Sequence, residues 1–433
     1  MNIAVVGTGY VGLVTGTCFA EFGVNVTCVD KDAEKIAGLN KGLIPIYEPG
    51  LDAMVSRNVK ADRLHFTTDL TEAVRRALVI FIAVGTPPNE DGSADLHFVE
   101  DVAKEIALAM DGYKVIVTKS TVPIGTGEWI TGIIKQQQPQ PVAFDVASNP
   151  EFLREGAAIE DFMRPNRVVI GAETSQAIAV MKDLYSPLYL IETPFVITNV
   201  KSAELIKYAA NAFLAVKISF INEVANLCEK LGADVHHVAK GMGLDRRISP
   251  KFLHPGPGYG GSCFPKDTRA LAEIGRRQES PFQIVEAAIK VNAEQRQRCL
   301  AKIANVFAGN VAGKTIGLLG LSFKPETDDI RDAPAVDIVQ ALISQGAQIR
   351  AFDPVAMDNF RKLFPTVAYC RDPYHVAEGS DLLVLMTEWN QFRKLDLDRL
   401  KILLTAPKIV DLRNIYEPAQ MKALGFDYTC VGR

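Results

Sequence analysis

"NIAVVGTGYVG", Asn2 to Gly12, decides the fold. Its opening is a run of β-branched and small apolar residues, as a buried strand requires, and Gly7, Gly9 and Gly12 then fall in the GxGxxG spacing. In that spacing the first glycine permits the tight turn, the second admits a pyrophosphate, and the third lets the following helix pack on the strand. The next strand-like run, "VNVTCVD", ends at Asp30, where an acid accepts hydrogen bonds from ribose hydroxyls. An acid there repels a 2′-phosphate, which selects NAD over NADP. Tyr10 and Val11 open the helix and join the three glycines as cofactor contacts. Lys35 is placed either to touch the adenosine phosphates or to stand as a solvated helix lysine, and both readings stay open.

Outward from this motif the pattern repeats. "LVIFIAVG", "KVIVTKS", "VAFDVAS" and "RVVIGA" read as further strands of a parallel sheet with crossover helices. Past Pro194 the character changes. "SAELIKYAANAFLAVKISFINEVANLCEKLG" is apolar around much of its circumference and holds no proline or glycine before Gly232. It predicts one long, largely buried helix of ~45 Å that acts as a spine between domains. After residue 312 come "KTIGLLG", an amphipathic "APAVDIVQALISQG" and "AQIRAFD", ending at Asp353. That is again strand, helix, glycine, strand and aspartate, but Gly317 and Gly320 leave the glycine fingerprint incomplete. The expectation is therefore an α/β protein: two Rossmann-like doubly wound domains joined by a central helical domain, the second binding something other than a whole dinucleotide. The divisions fall at 1–199, 200–305 and 306–433.

Composition excludes several classes. A chain of 433 residues, 48% hydrophobic and 23% charged, has the makeup of a globular protein of two or three domains. A net charge of -4 and a pI near 6.0 give no basic field for nucleic acid or an anionic membrane. The start at Met1 lacks the features of a signal peptide, and the apolar run Ala77 to Val84 is far short of the ~20 residues of a membrane helix. Seven cysteines without CxxC pairs suggest neither zinc nor disulfides, and a reducing cytoplasm fits.

The candidates for chemistry lie in short motifs. In "GPGYGGSCFPKD", Cys263 follows paired glycines that let backbone approach a ligand, and it stands before a helix whose first turn favours a thiolate, with Lys266 adding positive charge. A small buried cysteine with no role is the competing reading. "SNPEFLREG" offers Glu151 and Glu155, one turn apart if helical. On the spine, Lys207 and Asn211 share a face, and a buried lysine needs a partner or a purpose. "KSTVP" puts Thr121 at the end of a strand, where doubly wound folds place ligand contacts. The adjacent His236 and His237 point apart on a helix and make a poor metal pair.

In order, "GTGYVG", "VGTPPNEDG", "KSTVP", "NPEFLREG", "DRRI", "GPGYGGSCFPKD" and "GLSFKPETDDIRD" resemble the UDP-glucose/GDP-mannose dehydrogenase family along the whole chain, and most of all its UDP-glucose branch. The resemblance implies an NAD-binding domain, a central dimerising domain and a C-terminal nucleotide-sugar domain. It implies a four-electron oxidation of UDP-glucose at C6, with another nucleotide sugar, GDP-mannose or an N-acetylated UDP-hexose, as the alternative substrate. Cys263 becomes the nucleophile, with Lys207, Asn211, Thr121 and Asp267 around the reacting carbon, and Glu151 the base for thioester hydrolysis. Thr86, Glu155, Lys266 and Arg331 would meet the cofactor. Phe152 and Leu153, a "KFLH" strand with Phe252 and Leu253, and Tyr259, Gly260, Lys324 and Arg413 would hold the sugar nucleotide. Arg247 would reach into the site of a second subunit of a homodimer.

Overall fold

The structure, a computed structural model, describes all 433 residues. They divide into two units, Met1–Ala210 and Asn211–Arg433, and the division falls inside one uninterrupted helix, Val200–Leu231. This is the spine that the proline-free apolar stretch predicts.

The first unit is built on eight strands: β1 (Asn2–Val6), β2 (Asn25–Val29), β3 (Leu64–Thr67), β4 (Val79–Ile82), β5 (Lys114–Thr118), β6 (Phe144–Ser148), β7 (Val168–Ala172) and β8 (Phe195–Thr198). They lie in the order β3-β2-β1-β4-β5-β6-β7-β8, whose first six strands have the 3-2-1-4-5-6 order of dinucleotide folds. β4 and β5 are buried along their whole lengths, which is why they read as unbroken apolar runs rather than as alternations. The helix Tyr10–Glu21 covers one face of the sheet. Its Phe19 packs against Phe81, Phe162 and Tyr185 with ring centroids 5.0–5.2 Å apart, a burial that contributes about 1.5–3 kcal/mol. One expectation is corrected: β7 runs antiparallel to β6, pairing Ala147 with Ala172 and Ser148 with Gly171. The connection between them holds a single helix of six residues, Ala158–Met163, so the chain doubles back instead of crossing the face of the sheet.

The second unit carries the rest of the spine, the helices Val235–Gly243, Phe264–Arg277 and Gln283–Asn305, and a second sheet. Its strands are β9 (Thr315–Leu319), β10 (Gln348–Phe352), β11 (Ala368–Tyr369), β12 (Leu382–Leu385), β13 (Lys408–Asp411) and β14 (Asp427–Cys430). All pairs are parallel, and the order β11-β10-β9-β12-β13-β14 repeats that of the first sheet. Ile221 and Ala225 of the spine share a core with Ile316 and Leu318 of β9. Asp353, the counterpart of Asp30, is fully buried, and its carboxylate takes the N–H groups of Leu321, Val355 and Ala356 at 2.8–2.9 Å. It holds a turn and has no face left for a ribose.

Candidate active site

At the carboxyl end of β1 the three glycines do three different jobs. Gly7 has φ +103°, and a Cβ on it would meet Ala83 O at 2.6 Å; a Cβ on Gly12 would meet Gly7 O at 1.9 Å. Gly9, the N-cap of the helix Tyr10–Glu21, faces open space with no atom within 4 Å. Together they leave a cleft of about 480 Å³ bounded by Gly7, Gly9, Asp30, Lys31, Lys35 and Gly85. A helix N-terminus with unbonded N–H groups, bare of side chain at Gly9, is built for a pyrophosphate, so the residues present fit a dinucleotide. Asp30 accepts from Thr8 N at 2.9 Å, Thr8 Oγ1 at 2.7 Å and Lys35 Nζ at 2.9 Å. Burial pushes its carboxyl up, but these bonds outweigh burial and hold it at about 2. Lys35 is thus neither a free surface lysine nor aimed away from the cleft: it is ion-paired on the cleft wall.

Tyr10 turns away from the cleft. Its hydroxyl bonds the buried Glu48 carboxylate, which also accepts from Gly156 N and Ala158 N at 2.7 Å each. Glu48, absent from the sequence reading, thereby ties the dinucleotide helix to the loop after Glu151. At the ends of β4 and β5, Thr86 Oγ1 donates to Thr121 O at 2.9 Å, so these two expected residues do meet.

The loop "NPEFLREG" is irregular, and Glu151 and Glu155 do not share a helix face. Glu151 is buried and accepts from Lys207 Nζ at 2.8 Å and from Leu153 N at 2.5 Å, while Lys207 also donates to Glu151 O at 2.7 Å. Burial alone would raise the Glu151 carboxyl, but the Lys207 charge and hydrogen bond lower it below the usual range. Phe152 lies under Arg167, 3.4 Å from ring centroid to guanidinium carbon. A lysine that the sequence reading passed over, Lys119, is buried behind this loop, donating to Asn149 Oδ1 at 2.9 Å and Tyr185 OH at 3.4 Å.

In the second unit, Cys263 is the half-buried N-cap of the helix Phe264–Arg277, and its Sγ lies 3.6 Å from Ser262 Oγ. In the first turn Asp267 is fully buried between Asn211 Nδ2 and Lys266 Nζ, both at 2.7 Å. Lys266 therefore faces a carboxylate. The glycines before Cys263 serve a purpose other than the one expected of them: a Cβ on Gly260 would meet Asp332 O at 2.3 Å, and one on Gly261 the Phe323 ring at 2.8 Å. They let "GPGYGGSC" press against "SFKPETDDIRD" rather than against a ligand, and Gly261 N bonds Arg331 O at 2.9 Å.

Beside this junction a cavity of about 210 Å³ is lined by Phe252, Tyr259, Gly260, Lys324 and Arg413, five residues expected from the sequence, and by Phe323 and Glu388, which were not. Arg413 is fixed by Met386 O, Phe323 O and Glu388. The "KFLH" segment is not a strand. Ser249 and Phe252 both have φ +66°, and these left-handed residues turn the chain so that Phe252 faces the cavity and Leu253 joins the core. Arg331 is mostly exposed and bonded to Asp329, and Arg247 is exposed and bonded to Asp245. No group of side chains suits a metal ion, and no helix is long and apolar enough to cross a membrane.

With this geometry in hand, comparison with known proteins is specific. Residues 1–189, 201–294 and 317–418 match, in turn, the NAD binding, central and UDP binding domains of the UDP-glucose/GDP-mannose dehydrogenase family. The chain is similar to the UDP-glucose 6-dehydrogenase of Rhizobium meliloti (strain 1021), 53% identical over 436 residues with 100% of each chain covered. It is similar also to the UDP-glucose 6-dehydrogenase TuaD of Bacillus subtilis (strain 168), 49% identical with 100% of this chain and 93% of that one covered. Among solved structures, a UDP-glucose dehydrogenase from Pyrobaculum islandicum superposes with a TM-score of 0.91 at 38% identity, covering 99% of this chain and 96% of that one. A UDP-D-ManNAc dehydrogenase from Pyrococcus horikoshii gives 0.87 at 27% identity, covering 100% and 99%.

Proposed function

Because the chain belongs to the UDP-glucose/GDP-mannose dehydrogenase family and is an NAD-dependent oxidoreductase, we propose that it oxidises the C6 alcohol of UDP-glucose to the carboxylate through a thioester on Cys263. The observation that carries this reading is Cys263 at a helix N-terminus, with Asp267 in the first turn beyond it bonded to Asn211 of the spine. NAD, when bound, takes up the hydride at each oxidation. The chain's residues manage the proton and the carbon. A group at Asp267, or a water held by Thr121, accepts the alcohol proton. The Cys263 sulfur, favoured as thiolate by the helix terminus, adds to the aldehyde carbon and prevents its escape. The thiohemiacetal carbon still carries a hydrogen, so loss of a second hydride and the hydroxyl proton leaves a thioester. Lys207 and Asn211 donate hydrogen bonds to the alkoxide in these steps. Water, activated by Glu151, then replaces sulfur and releases acid and thiol, which balances the reaction.

The division at 1–199, 200–305 and 306–433 assigns cofactor, subunit contact and sugar nucleotide to successive parts of the chain. Lys324 and Arg413 bring positive charge to the cavity beside Phe252 and Tyr259, as a diphosphate requires, and this supports the third assignment. We assign the chain to a homodimer in the cytoplasm. Phe213, Phe220 and Leu227 are exposed at seven-residue spacing along the spine, an apolar seam fit for a second copy, and all seven thiols are free.

The test is stoichiometry. UDP-glucose should yield about two NADH per acid formed, faster than GDP-mannose or an N-acetylated UDP-hexose. Glu151→Gln should release about two NADH per site, then stall with the sugar nucleotide on Cys263, detectable by mass spectrometry. One NADH per product, or a stalled enzyme without adduct, overturns the thioester or the role of Glu151 respectively.

A further inference from the structure

We propose that Lys119 is a positioning residue for thioester hydrolysis: it fixes the turn that presents Glu151 and supplies a second buried cation that keeps Glu151 anionic while Lys207 serves the substrate. The inference rests on the role given above to Glu151. Lys119 directly follows β5, and Asn149 directly follows β6, at the strand ends where doubly wound sheets place their chemistry. Asn149 is held on every side. Its N–H bonds Thr118 O at 3.0 Å, its Nδ2 bonds Val169 O at 2.8 Å, and its Oδ1 accepts from Lys119 Nζ at 2.9 Å and Tyr185 OH at 2.6 Å. Pro150 and Glu151 come next in the chain, so the geometry of the carboxylate is set from Asn149.

A lysine buried to 4% exposure with only neutral hydrogen-bond partners carries a large desolvation penalty and calls for a charge nearby. That charge is Glu151, which lines the same small cavity as Lys119. Burial brings Lys119 down to about 7, against the opposing pull of the Glu151 carboxylate and with the help of the Lys207 charge, so Lys119 is a cation on the acid side of neutrality, where Glu151 would otherwise take up a proton. One carboxylate thus faces two lysines. An alkoxide held by Lys207 competes with Glu151 for the charge of that one ammonium, whereas Lys119 stays on Asn149 and Tyr185 throughout. The other charged or titratable groups lining this cavity are Asp161, which is paired with Arg154, Arg167 stacked on Phe152, and Tyr185, which burial keeps protonated.

The test separates hydride transfer from hydrolysis in the whole enzyme with UDP-glucose and NAD. In Lys119→Met the initial burst should stay within about threefold of the parent enzyme, while steady turnover falls about tenfold or more and adduct accumulates on Cys263. The acid limb of the turnover profile should move to higher pH, because Glu151 loses a stabilising cation. Lys119→Arg should restore turnover to within about threefold. Should Lys119→Met fail to fold, Lys119→Gln against Lys119→Arg gives the same comparison. Burst and steady rates falling together, or an arginine variant no better than methionine, overturns the proposal. If Glu151→Gln accumulates adduct and Lys119→Met keeps the parent's rates, this inference fails alone; if Glu151→Gln forms none, the reading beneath it fails.

Discussion

Alanine at Gly9 and alanine at Gly12 are the same substitution in the same motif, and the structure assigns them opposite failures. At Gly12 the new Cβ would lie 1.9 Å from Gly7 O, about 1.5 Å short of ordinary contact, and the obstacle is backbone in a turn already held at φ +103°. Neither partner can rotate away. Overpacking of this kind costs up to about 3 kcal/mol, or more where backbone must move. For a unit of 210 residues this lowers the melting temperature by about 6–12 °C. At Gly9 the Cβ meets nothing within 4 Å, so the fold should melt within about 2 °C of the parent. There the methyl group occupies the approach to the helix N-terminus and moves a pyrophosphate outward by about a bond length. Losing about 2–3 kcal/mol of those contacts weakens NAD roughly 30- to 150-fold. Thermal unfolding without ligand, paired with calorimetric titration of NAD, reads both effects. Gly9→Ala with parental NAD affinity, or Gly12→Ala with a parental melting point, would refute the division of labour drawn here.

Asp30 should set cofactor preference independently of pH over the working range. With its carboxyl held at about 2, the charge that acts on a bound cofactor is present in full from about pH 4 upward and is lost only as pH falls toward 2. The ratio of kcat/KM for NAD to that for NADP should be flat from about pH 7 to 9 in the parent, where the 2′-phosphate is already a dianion, and collapse in Asp30→Gly; a ratio that changes tenfold within that range contradicts it. Arg247→Ala and Cys263→Ser, each inactive alone, should recover partial activity when subunits are exchanged, since one hybrid site is intact. No recovery despite demonstrated exchange places Arg247 outside the neighbouring site.

Much of this architecture is written locally. The strands β1, β4 and β9 announce themselves through short unbroken apolar runs, and the spine helix through a long stretch free of proline and glycine. The strands β3, "LHFT", and β8, "FVIT", are no shorter than β4, but they are only partly buried and lack its unbroken apolar run, so they do not stand out from loops. The direction of β7 depends on the path of a connection and not on its own residues. The segment Lys251–His254, named a strand only through the family resemblance, has no alternation of its own; prolines at 250 and 255 flank it and the left-handed Phe252 breaks it. At the site, the motifs "SNPEFLREG" and "GPGYGGSCFPKD" drew attention to Glu151 and Cys263 and a shared helix face to Lys207, because glycine and charged residues are conspicuous there, whereas the residues around Tyr259 came from the family resemblance. Lys119 and Glu48 were not legible for the opposite reason: a lysine or glutamate normally signals solvent, and only tertiary packing reveals that these two are buried. The glycines before Cys263 show the same ambiguity. Their need for close approach was evident; the identity of what approaches was not.

The knot of Tyr10, Glu48 and Gly156 bears on how this scaffold can be altered. Three segments far apart in the chain are closed around one carboxylate, so the loop carrying Glu151 has no independent existence as a module. A loop transplanted from a relative to change sugar preference would arrive without its anchor unless positions 10 and 48 travel with it. Libraries that randomise residues 151–156 alone should return mostly inactive clones, and recombination breakpoints should be tolerated better outside the interval 10–156 than within it.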